Sequence, residues 1–201
     1  YPSTYWSAVS ASLNGTILYQ LGAGAPTSQL TWYGRDGRTA GTVGEPGILA
    51  NPNFSPDDSR LTVDIIDLKS KNIDIWIENL KAGTASRFTF DASEETNGAW
   101  SPDGSIIAIR SASDNRLQTK KSFGLETPRI VVHGSQHDDD VPTGWTRDGK
   151  SILTTYQPIT GGSSLSIVDL DGKSRPFLKG AANYSNGQFS PNGKWVLYSS
   201  N

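Results

Sequence analysis

The sequence contains no cysteine and no methionine, and each absence excludes something. Without cysteine the chain cannot form a disulfide, a thiolate metal site or a cysteine nucleophile, although its compartment stays open. Without an initiator methionine, Tyr1 is expected to begin a processed product or an excised piece. A signal or membrane segment upstream of Tyr1 would then not be part of this sequence.

Long apolar runs and an excess of positive charge are also missing. No stretch approaches the roughly 20 apolar residues that a spanning helix needs, and the mean hydropathy is -0.44. We therefore expect no direct insertion of this segment into a membrane. The 18 basic and 20 acidic residues are spread along the chain and give a net charge of -2. Because no basic stripe is present to neutralise phosphates, nucleic acid is not an expected partner.

What the sequence does contain is a short turn motif that recurs at a regular interval. Near-copies stand at five places: ASLNG at 11–15, FSPDD at 54–58, WSPDG at 100–104, WTRDG at 145–149 and FSPNG at 189–193. Their first residues lie 43, 46, 45 and 44 positions apart. Proline fixes the backbone at the second position of a type I turn, and glycine accepts positive φ at its close. Asp58 replaces that glycine in one copy, and aspartate tolerates the left-handed region better than most residues.

Each turn leads into apolar residues at alternate positions. Three residues after the closing position the copies carry Leu18, Leu61, Ile107, Ile152 and Val196. Two residues further, four copies continue with Val63, Ile109, Thr154 and Tyr198. This is the period of a strand with one buried face. With a strand that enters the aromatic before the turn, a second apolar run and a short strand after it, each repeat is predicted to hold four short antiparallel strands.

Four-stranded units of about 45 residues are typical of β-propeller blades. We therefore predict an all-β fold, a β-propeller or part of one, with residues 1–201 as one domain. A stacked β-solenoid is the weaker alternative, because its coils are usually shorter. The aromatic residue at the head of each copy is interpreted as core packing. Four complete repeats and the first half of a fifth are expected, which suggests a fragment of a longer propeller that could self-associate through its open blade edges.

These motifs resemble a known family of repeats. WSPDGSIIAI, with DIWIENL and SRFTF before it, is similar to the TolB-type propeller repeat, a bacterial relative of the WD repeat. The longer run LTWYGRDGRTAGTVGEPG, followed by FSPDDSRLTVDIID, more narrowly resembles the propeller found C-terminal to some bacterial membrane-anchored Ser/Thr protein kinases. The resemblance covers nearly the whole chain and implies a periplasmic or other extracytoplasmic location. Related repeats form the N-terminal propeller of the prolyl oligopeptidase family.

No catalytic motif stands in the sequence. The Gly-rich loop with its downstream lysine, the HRD-like loop and the DFG motif of kinases are absent, as is the GxSxG nucleophile elbow. The only histidines are His133 and His137, and a Ser-His-Asp triad cannot be recognised from sequence position. Without an elbow, the histidines are interpreted as non-catalytic. The chain is therefore not expected to be an enzyme, and no catalytic residue, metal or cofactor is predicted.

The candidate binding residues lie just before the first strand of several repeats. The run SQHDDDV at 135–141 lacks the spaced pattern of a calcium loop and is interpreted as a solvated acidic loop. Asparagine recurs three residues before the blade aromatic, where it either caps the innermost strand or contributes to a polar ring around the mouth of the channel. The candidates are Asn51, Asn97, His137, Asp138, Asp139, Asp140, Tyr184 and Asn186.

The sequence favours a non-catalytic recognition or sensor module that binds a protein, a peptide or a small molecule at the channel mouth. A receptor-type kinase is the parent that the narrower resemblance implies. The alternative is a gating propeller of a prolyl oligopeptidase family serine peptidase, which requires an α/β-hydrolase domain after Asn201. A third interpretation is a TolB-like scaffold, which requires a signal peptide and an α/β domain before Tyr1.

Overall fold

The computed structural model describes residues 9–11, 17–21, 27–133, 138–158 and 160–201, the first two stretches and Asp114 by their backbone alone. Within these ranges the chain is built from strands, and the one helical element is a single 3-10 turn, Ser113–Asn115. The chain divides into two compact units, the first ending at Thr96 and the second beginning at Asn97.

The first unit holds two four-stranded antiparallel sheets in which each strand pairs with the next along the chain. The first sheet consists of β1 (Val9–Ala11), β2 (Ile17–Leu21), β3 (Ser28–Tyr33) and β4 (Thr39–Gly47). The second consists of β5 (Leu49–Phe54), β6 (Arg60–Ile66), β7 (Ile73–Asn79) and β8 (Thr84–Arg87). The turn copy predicted at 11–15 lies, beyond Ala11, outside the described residues.

The second unit repeats this arrangement, starting within a strand that crosses the boundary between the units. One sheet consists of β9 (Glu95–Trp100), β10 (Ile106–Ser111), β11 (Arg116–Lys121) and β12 (Arg129–Val132). The next consists of β13 (Asp138–Trp145), β14 (Ser151–Pro158), β15 (Ser164–Asp169) and β16 (Ser174–Leu178). The last has two strands, β17 (Tyr184–Phe189) and β18 (Val196–Ser200). The predicted all-β fold of four-stranded antiparallel units is confirmed.

The recurring turn has one conformation in all four copies that the structure describes. The closing residue has positive φ, as predicted: 55° at Asp58, 70° at Gly104, 68° at Gly149 and 69° at Gly193. In the copy at 100–104, the Gly104 N–H donates to the carbonyl of Ser101 at 2.9 Å. The Ser101 N–H donates to the Ile106 carbonyl at 2.8 Å, and the Ser101 hydroxyl accepts from the Ile106 N–H at 3.0 Å. The hairpin is therefore closed by both backbone and side chain.

The aspartate of this turn binds donors on both sides of it. Asp103 Oδ1 accepts from Ser101 Oγ at 2.6 Å and from the Ser105 N–H at 3.0 Å, while Oδ2 accepts from Ser105 Oγ at 2.8 Å. These bonds favour the ionised carboxylate and lower its pKa from 3.8 to about 2. Asn192 takes the same place in the last copy, where its Oδ1 accepts from Ser190 Oγ at 2.8 Å. The motif thus encodes a polar cross-link as well as a backbone conformation.

The core lies where the alternation predicts it. Leu61, Ile107 and Ile152 are fully buried. The blade aromatics Phe54, Trp100 and Trp145 are also buried, which agrees with their interpretation as core residues. Trp145 packs with Ala99 and Ile152 in one core cluster of the second unit. Its indole N–H donates to the Ala99 carbonyl at 2.9 Å. The last copy departs from the pattern: Val196 is only partly buried and Tyr198 is exposed.

Candidate binding site

The three recurring asparagines lie within the first strands of their sheets, whereas the sequence placed them in loops. Asn51 lies on β5, Asn97 on β9 and Asn186 on β17. All three adopt left-handed backbone conformations, with φ of 48°, 59° and 56°. In β5 and β17 the strand register shifts across the asparagine, which is the mark of a β-bulge. The recurrence therefore has a backbone cause, since asparagine tolerates positive φ better than most residues.

In the first unit, the side chain of Asn51 is bound to the neighbouring strand. Its Nδ2 donates to Asp64 Oδ2 of β6 at 2.7 Å. Asn51 is partly buried and Asp64 is buried. The amide therefore also fixes the side chain of Asp64 next to the bulge.

In the second unit, the acidic run is not the solvated loop that the sequence suggested. Asp138, Asp139 and Asp140 form the start of β13, the first strand of its sheet, and all three are partly buried. They pair in register with Pro158, Gln157 and Tyr156 of β14. The sequence pattern does not indicate this strand, because three consecutive aspartates show no alternation of apolar and polar residues. We refer to these three aspartates as the β13 carboxylate cluster.

The middle residue of the β13 carboxylate cluster forms an ion pair. Arg110 Nε of β10 donates to Asp139 Oδ2 at 2.6 Å, and the two side chains are only 21% and 16% exposed. The other carboxylate oxygen of Asp139 is buried, and no donor within the described ranges reaches it. Arg110 thus binds one oxygen of one of the three carboxyl groups.

The flanking carboxylates contact side chains of β14. Asp140 Oδ1 accepts from Thr154 Oγ1 at 2.7 Å. Burial raises the pKa of Asp140 above its ordinary value despite this bond, and the neighbouring charges of Asp139 and Asp138 raise it further. Burial also raises the pKa of Tyr156, with a contribution from its hydrogen bond to Asp138. Burial and the neighbouring carboxyl groups therefore oppose ionisation of Asp140.

β17, the first strand of the last sheet, carries the last two candidates. The Asn186 N–H donates to Thr155 Oγ1 of β14 at 3.1 Å, and its side chain is exposed. The ring of Tyr184 makes an edge contact with Tyr198, with centroids 5.8 Å apart. Tyr184 also packs against the cluster of Leu153, Leu165 and Ile167. The ring of Tyr184 therefore has a packing role, while the side chain of Asn186 is exposed to solvent.

The structure brings together only some of the predicted residues. Asp138, Asp139 and Asp140 are consecutive on β13, and β13 and β17 both contact β14 in the second unit. Asn51 belongs to the first unit, and Asn97 stands at the first residue of the second. His137 lies outside the described residues, and His133 is exposed.

Sequence reasoning missed the polar partners on the second strands. Six residues after the closing position of the turn, the copies carry Asp64, Arg110, Thr155 and Ser199. Arg110 contacts Asp139 and Thr155 contacts Asn186, in each case on the first strand of the following sheet. A polar residue recurring at one position inside otherwise apolar strands was the available signal.

In the described stretches, no group of three or more His, Cys, Asp or Glu side chains is arranged to hold a metal ion. No helix in that part of the chain is long and apolar enough to span a bilayer.

Sequential four-stranded antiparallel sheets, linked by a turn that recurs about every 45 residues, define the blades of a β-propeller. Residues 35–201 match the model of the TolB β-propeller domain family. Because this match spans most of the chain, the protein belongs to that family. The resemblance inferred from WSPDGSIIAI is thereby confirmed at the level of the TolB repeat.

Individual relatives are distant. The chain is 24% identical to an uncharacterized peptidase, YuxL, of Bacillus subtilis (strain 168), in an alignment that covers 76% of this chain and 29% of the peptidase. The chain therefore spans less than a third of the length of this curated relative.

Among solved structures, the chain is similar to a protein of Agrobacterium tumefaciens assigned as a TolB, with 20% identity, a TM-score of 0.79, and coverage of 97% of this chain and 69% of that one. It is also similar to TolB from Acinetobacter baumannii, with 19% identity, a TM-score of 0.73, and coverage of 94% and 47%. At these identities the likeness establishes the fold alone.

Proposed function

We propose that the chain is a non-catalytic recognition module. Its ligand binds at the end of the blades where their first strands begin, which is the end opposite the recurring turns. The single observation that carries the proposal is the β13 carboxylate cluster. Three consecutive carboxylates are partly buried at that end of one strand. Rigid scaffolds commonly hold recognition residues at such strand ends and in the loops beside them.

The charge of the cluster favours a ligand with an ammonium or guanidinium group, supplied by a protein, a peptide or a small molecule. Burial and like charge raise the pKa of Asp140, so ionisation of this carboxyl group is electrostatically unfavourable. A cation placed between the carboxylates would relieve that repulsion in a medium of reduced dielectric constant. The exposed amide of Asn186 supplies hydrogen bonds on the first strand of the following sheet.

The test uses two short capped peptides, one of alternating lysine and arginine and one of alternating glutamate and aspartate. We expect calorimetry on the full chain to detect binding of the basic peptide only, and the variant Asp138→Asn to weaken it. The matched control is Asp171→Asn, which removes the same charge from the β15–β16 turn at the opposite end of the same sheet. Equal affinity in both variants, or no preference for the basic peptide, contradicts the proposal.

The parent that we propose is a membrane-anchored Ser/Thr kinase, with the propeller as its extracytoplasmic sensor. The support is the resemblance of LTWYGRDGRTAGTVGEPG and the following motifs to kinase-associated propellers. Fusing alkaline phosphatase to the C-terminal end of the full-length parent tests whether the propeller lies outside the cytoplasm. We expect the phosphatase to be active, and an inactive but stable fusion contradicts an extracytoplasmic location.

The second candidate is a gating propeller that admits peptides to a serine peptidase domain. The specific observation in its favour is the 24% identity to the Bacillus subtilis peptidase. On this hypothesis the full-length parent hydrolyses short chromogenic peptides and spares folded proteins. Absence of such hydrolysis in a folded parent protein favours the sensor over the gate.

A further inference from the structure

A carboxyl group of the second sheet is buried against the first sheet without a partner. Glu78 of β7 is 5% exposed. Trp76 lies two residues before it, on the same face of the strand, and packs against the core cluster that contains Val43 of β4. Both sheets belong to the same compact unit. Among the described residues, no hydrogen bond or ion pair reaches the Glu78 carboxyl group.

The Glu78 carboxyl group lies against a glycine of β4. Gly44 has a φ of 63° and stands in the segment 44–46, where the register between β3 and β4 shifts. Such a shift is typical of a β-bulge. A Cβ atom at position 44 would lie 2.6 Å from Glu78 Oε1 and 3.5 Å from Oε2. The glycine therefore leaves the space that this carboxyl group fills.

A second carboxyl group stands beside the first. Glu45 follows Gly44 in the bulge, and both residues are exposed, so the pair opens to solvent. Burial raises the pKa of Glu78, and the neighbouring charge of Glu45 raises it further. The two acidic groups are therefore close enough to repel each other when both are ionised.

The first unit supplies no cation to this pair. No described lysine or arginine forms an ion pair with Glu45 or Glu78. The sequence has no lysine, arginine or histidine before Arg35, so residues 1–34 contain no basic side chain that could do so. A buried ionised carboxylate without a counter-ion is costly. The pair therefore favours a cation from outside the chain.

The access to Glu78 and the chemistry of the pair select the kind of cation. Because Glu78 is only 5% exposed, a bare metal ion can reach its oxygens more readily than an ammonium or guanidinium group on a side chain. Carboxylate oxygens are ligands of hard divalent cations. Calcium accepts irregular shells of oxygen atoms, whereas magnesium requires a nearly octahedral one. An exposed bulge suits the less demanding ion.

We propose that Glu78 and Glu45 bind one calcium ion between the first and second sheets, with water molecules completing its coordination. The ion links β4 to β7 and replaces the repulsion between the two carboxylates by attraction to a shared charge. Because the site has two carboxylates rather than three or more, we expect a dissociation constant on the order of 10⁻³ M. The site is separate from the β13 carboxylate cluster and does not depend on peptide binding there.

The first test is thermal unfolding of the full chain in about 10 mM calcium chloride, compared with sodium chloride at the same ionic strength. A ligand that binds only the folded chain raises the unfolding temperature. At about ten times the expected dissociation constant, the rise should be about 3–6 °C. An equal rise in sodium chloride would reflect charge screening and would overturn the proposal.

Three variants locate the ion. Glu78→Gln keeps the size of the side chain, removes its charge and is expected to abolish the rise. Glu45→Gln changes an exposed residue and should weaken calcium binding by about tenfold, so it decides the question if Glu78→Gln fails to fold. Glu126→Gln is the matched control, because its side chain is 60% exposed in a pair with Lys121. It should respond to calcium as the wild type does.

Terbium gives a second reading that does not depend on stability. It replaces calcium in oxygen sites and emits when a nearby tryptophan is excited, and Trp76 shares a strand face with Glu78. We expect emission that excess calcium suppresses and that Glu78→Gln reduces. Asp138→Asn should leave both the emission and the calcium-dependent rise in place.

Three results overturn the proposal. The first is a wild-type chain whose unfolding temperature does not respond to calcium. The second is a rise that persists undiminished in Glu78→Gln or in Glu45→Gln. The third is a response lost in Asp138→Asn instead, which would assign the ion to the β13 carboxylate cluster.

Discussion

Arg110 of β10 and Asp139 of β13 form an ion pair of 2.6 Å that joins two neighbouring sheets of the second unit. Both side chains are largely buried, so each charge depends on the other for solvation. Backbone hydrogen bonds hold the strands within each sheet, but side chains must hold one sheet against the next. This pair therefore links the stability of the unit to the carboxylates proposed as its binding site.

Arg110→Met is expected to destabilise the chain by about 2 kcal/mol or more, because it leaves the Asp139 carboxylate buried without its cation. Urea unfolding measures the change. Lys173→Ala is the control, since Lys173 and Asp171 form a 2.7 Å pair in which both side chains are exposed, and such pairs contribute little. Equal unfolding midpoints for the two variants would show that the Arg110–Asp139 pair does not stabilise the folded chain.

Acid is expected to weaken the recurring turn through Asp103. Its pKa is about 2 in the folded chain, against an ordinary value of 3.8. A lowered pKa means that the stabilisation is complete above the ordinary value and is lost as the pH falls toward 2. Asp103→Asn should therefore make the unfolding midpoint depend less on pH between about pH 4 and pH 2. Parallel profiles for variant and wild type would contradict this account of the turn.

Gly104→Val is expected to destabilise the chain by about 1 kcal/mol or more, because a β-branched residue is strained at positive φ. The φ of Gly104 is 70°. Gly104→Asn is the matched variant and should cost less, since Asp58 adopts a φ of 55° at the equivalent position. Thermal unfolding separates the two, and a valine variant as stable as the asparagine variant would refute the conformational argument.

The fold could be predicted from the sequence because its signals are local. The turn needs proline and a residue of positive φ, and each strand after it alternates apolar residues such as Leu61 and Val63 that are then buried. These features repeat with one period, so each copy confirms the others. The assignment of four strands to each repeat followed from them.

The candidate site could be predicted only in part, because its contacts join residues of different repeats. Nothing near Asp139 in the sequence indicates Arg110, which lies 29 positions away. The strand β13 begins with three aspartates and contains Pro142, so neither alternation nor propensity marked it as a strand. The recurring asparagines were identified by spacing, but their cause, a bulge of positive φ, required the backbone.

Asp140→Asn is expected to make the chain more stable and the binding weaker. Burial raises the pKa of Asp140, so the folded chain binds this proton more tightly than the unfolded chain does. The favourable contribution is then complete below the ordinary pKa and is lost as the pH rises through the folded value. Asparagine removes the charge and keeps an oxygen that can accept from Thr154 Oγ1, which is 2.7 Å from Asp140 Oδ1.

At pH 7 the variant should therefore unfold at a higher temperature, by about 2–4 °C. The advantage should shrink as acid protonates the wild-type carboxylate. The basic peptide should bind the variant less well at pH 7, because one of the three carboxylates is gone. Higher stability with lower affinity is the trade-off of a charge retained for binding. A variant that loses both stability and affinity would instead assign Asp140 a structural role through its bond to Thr154.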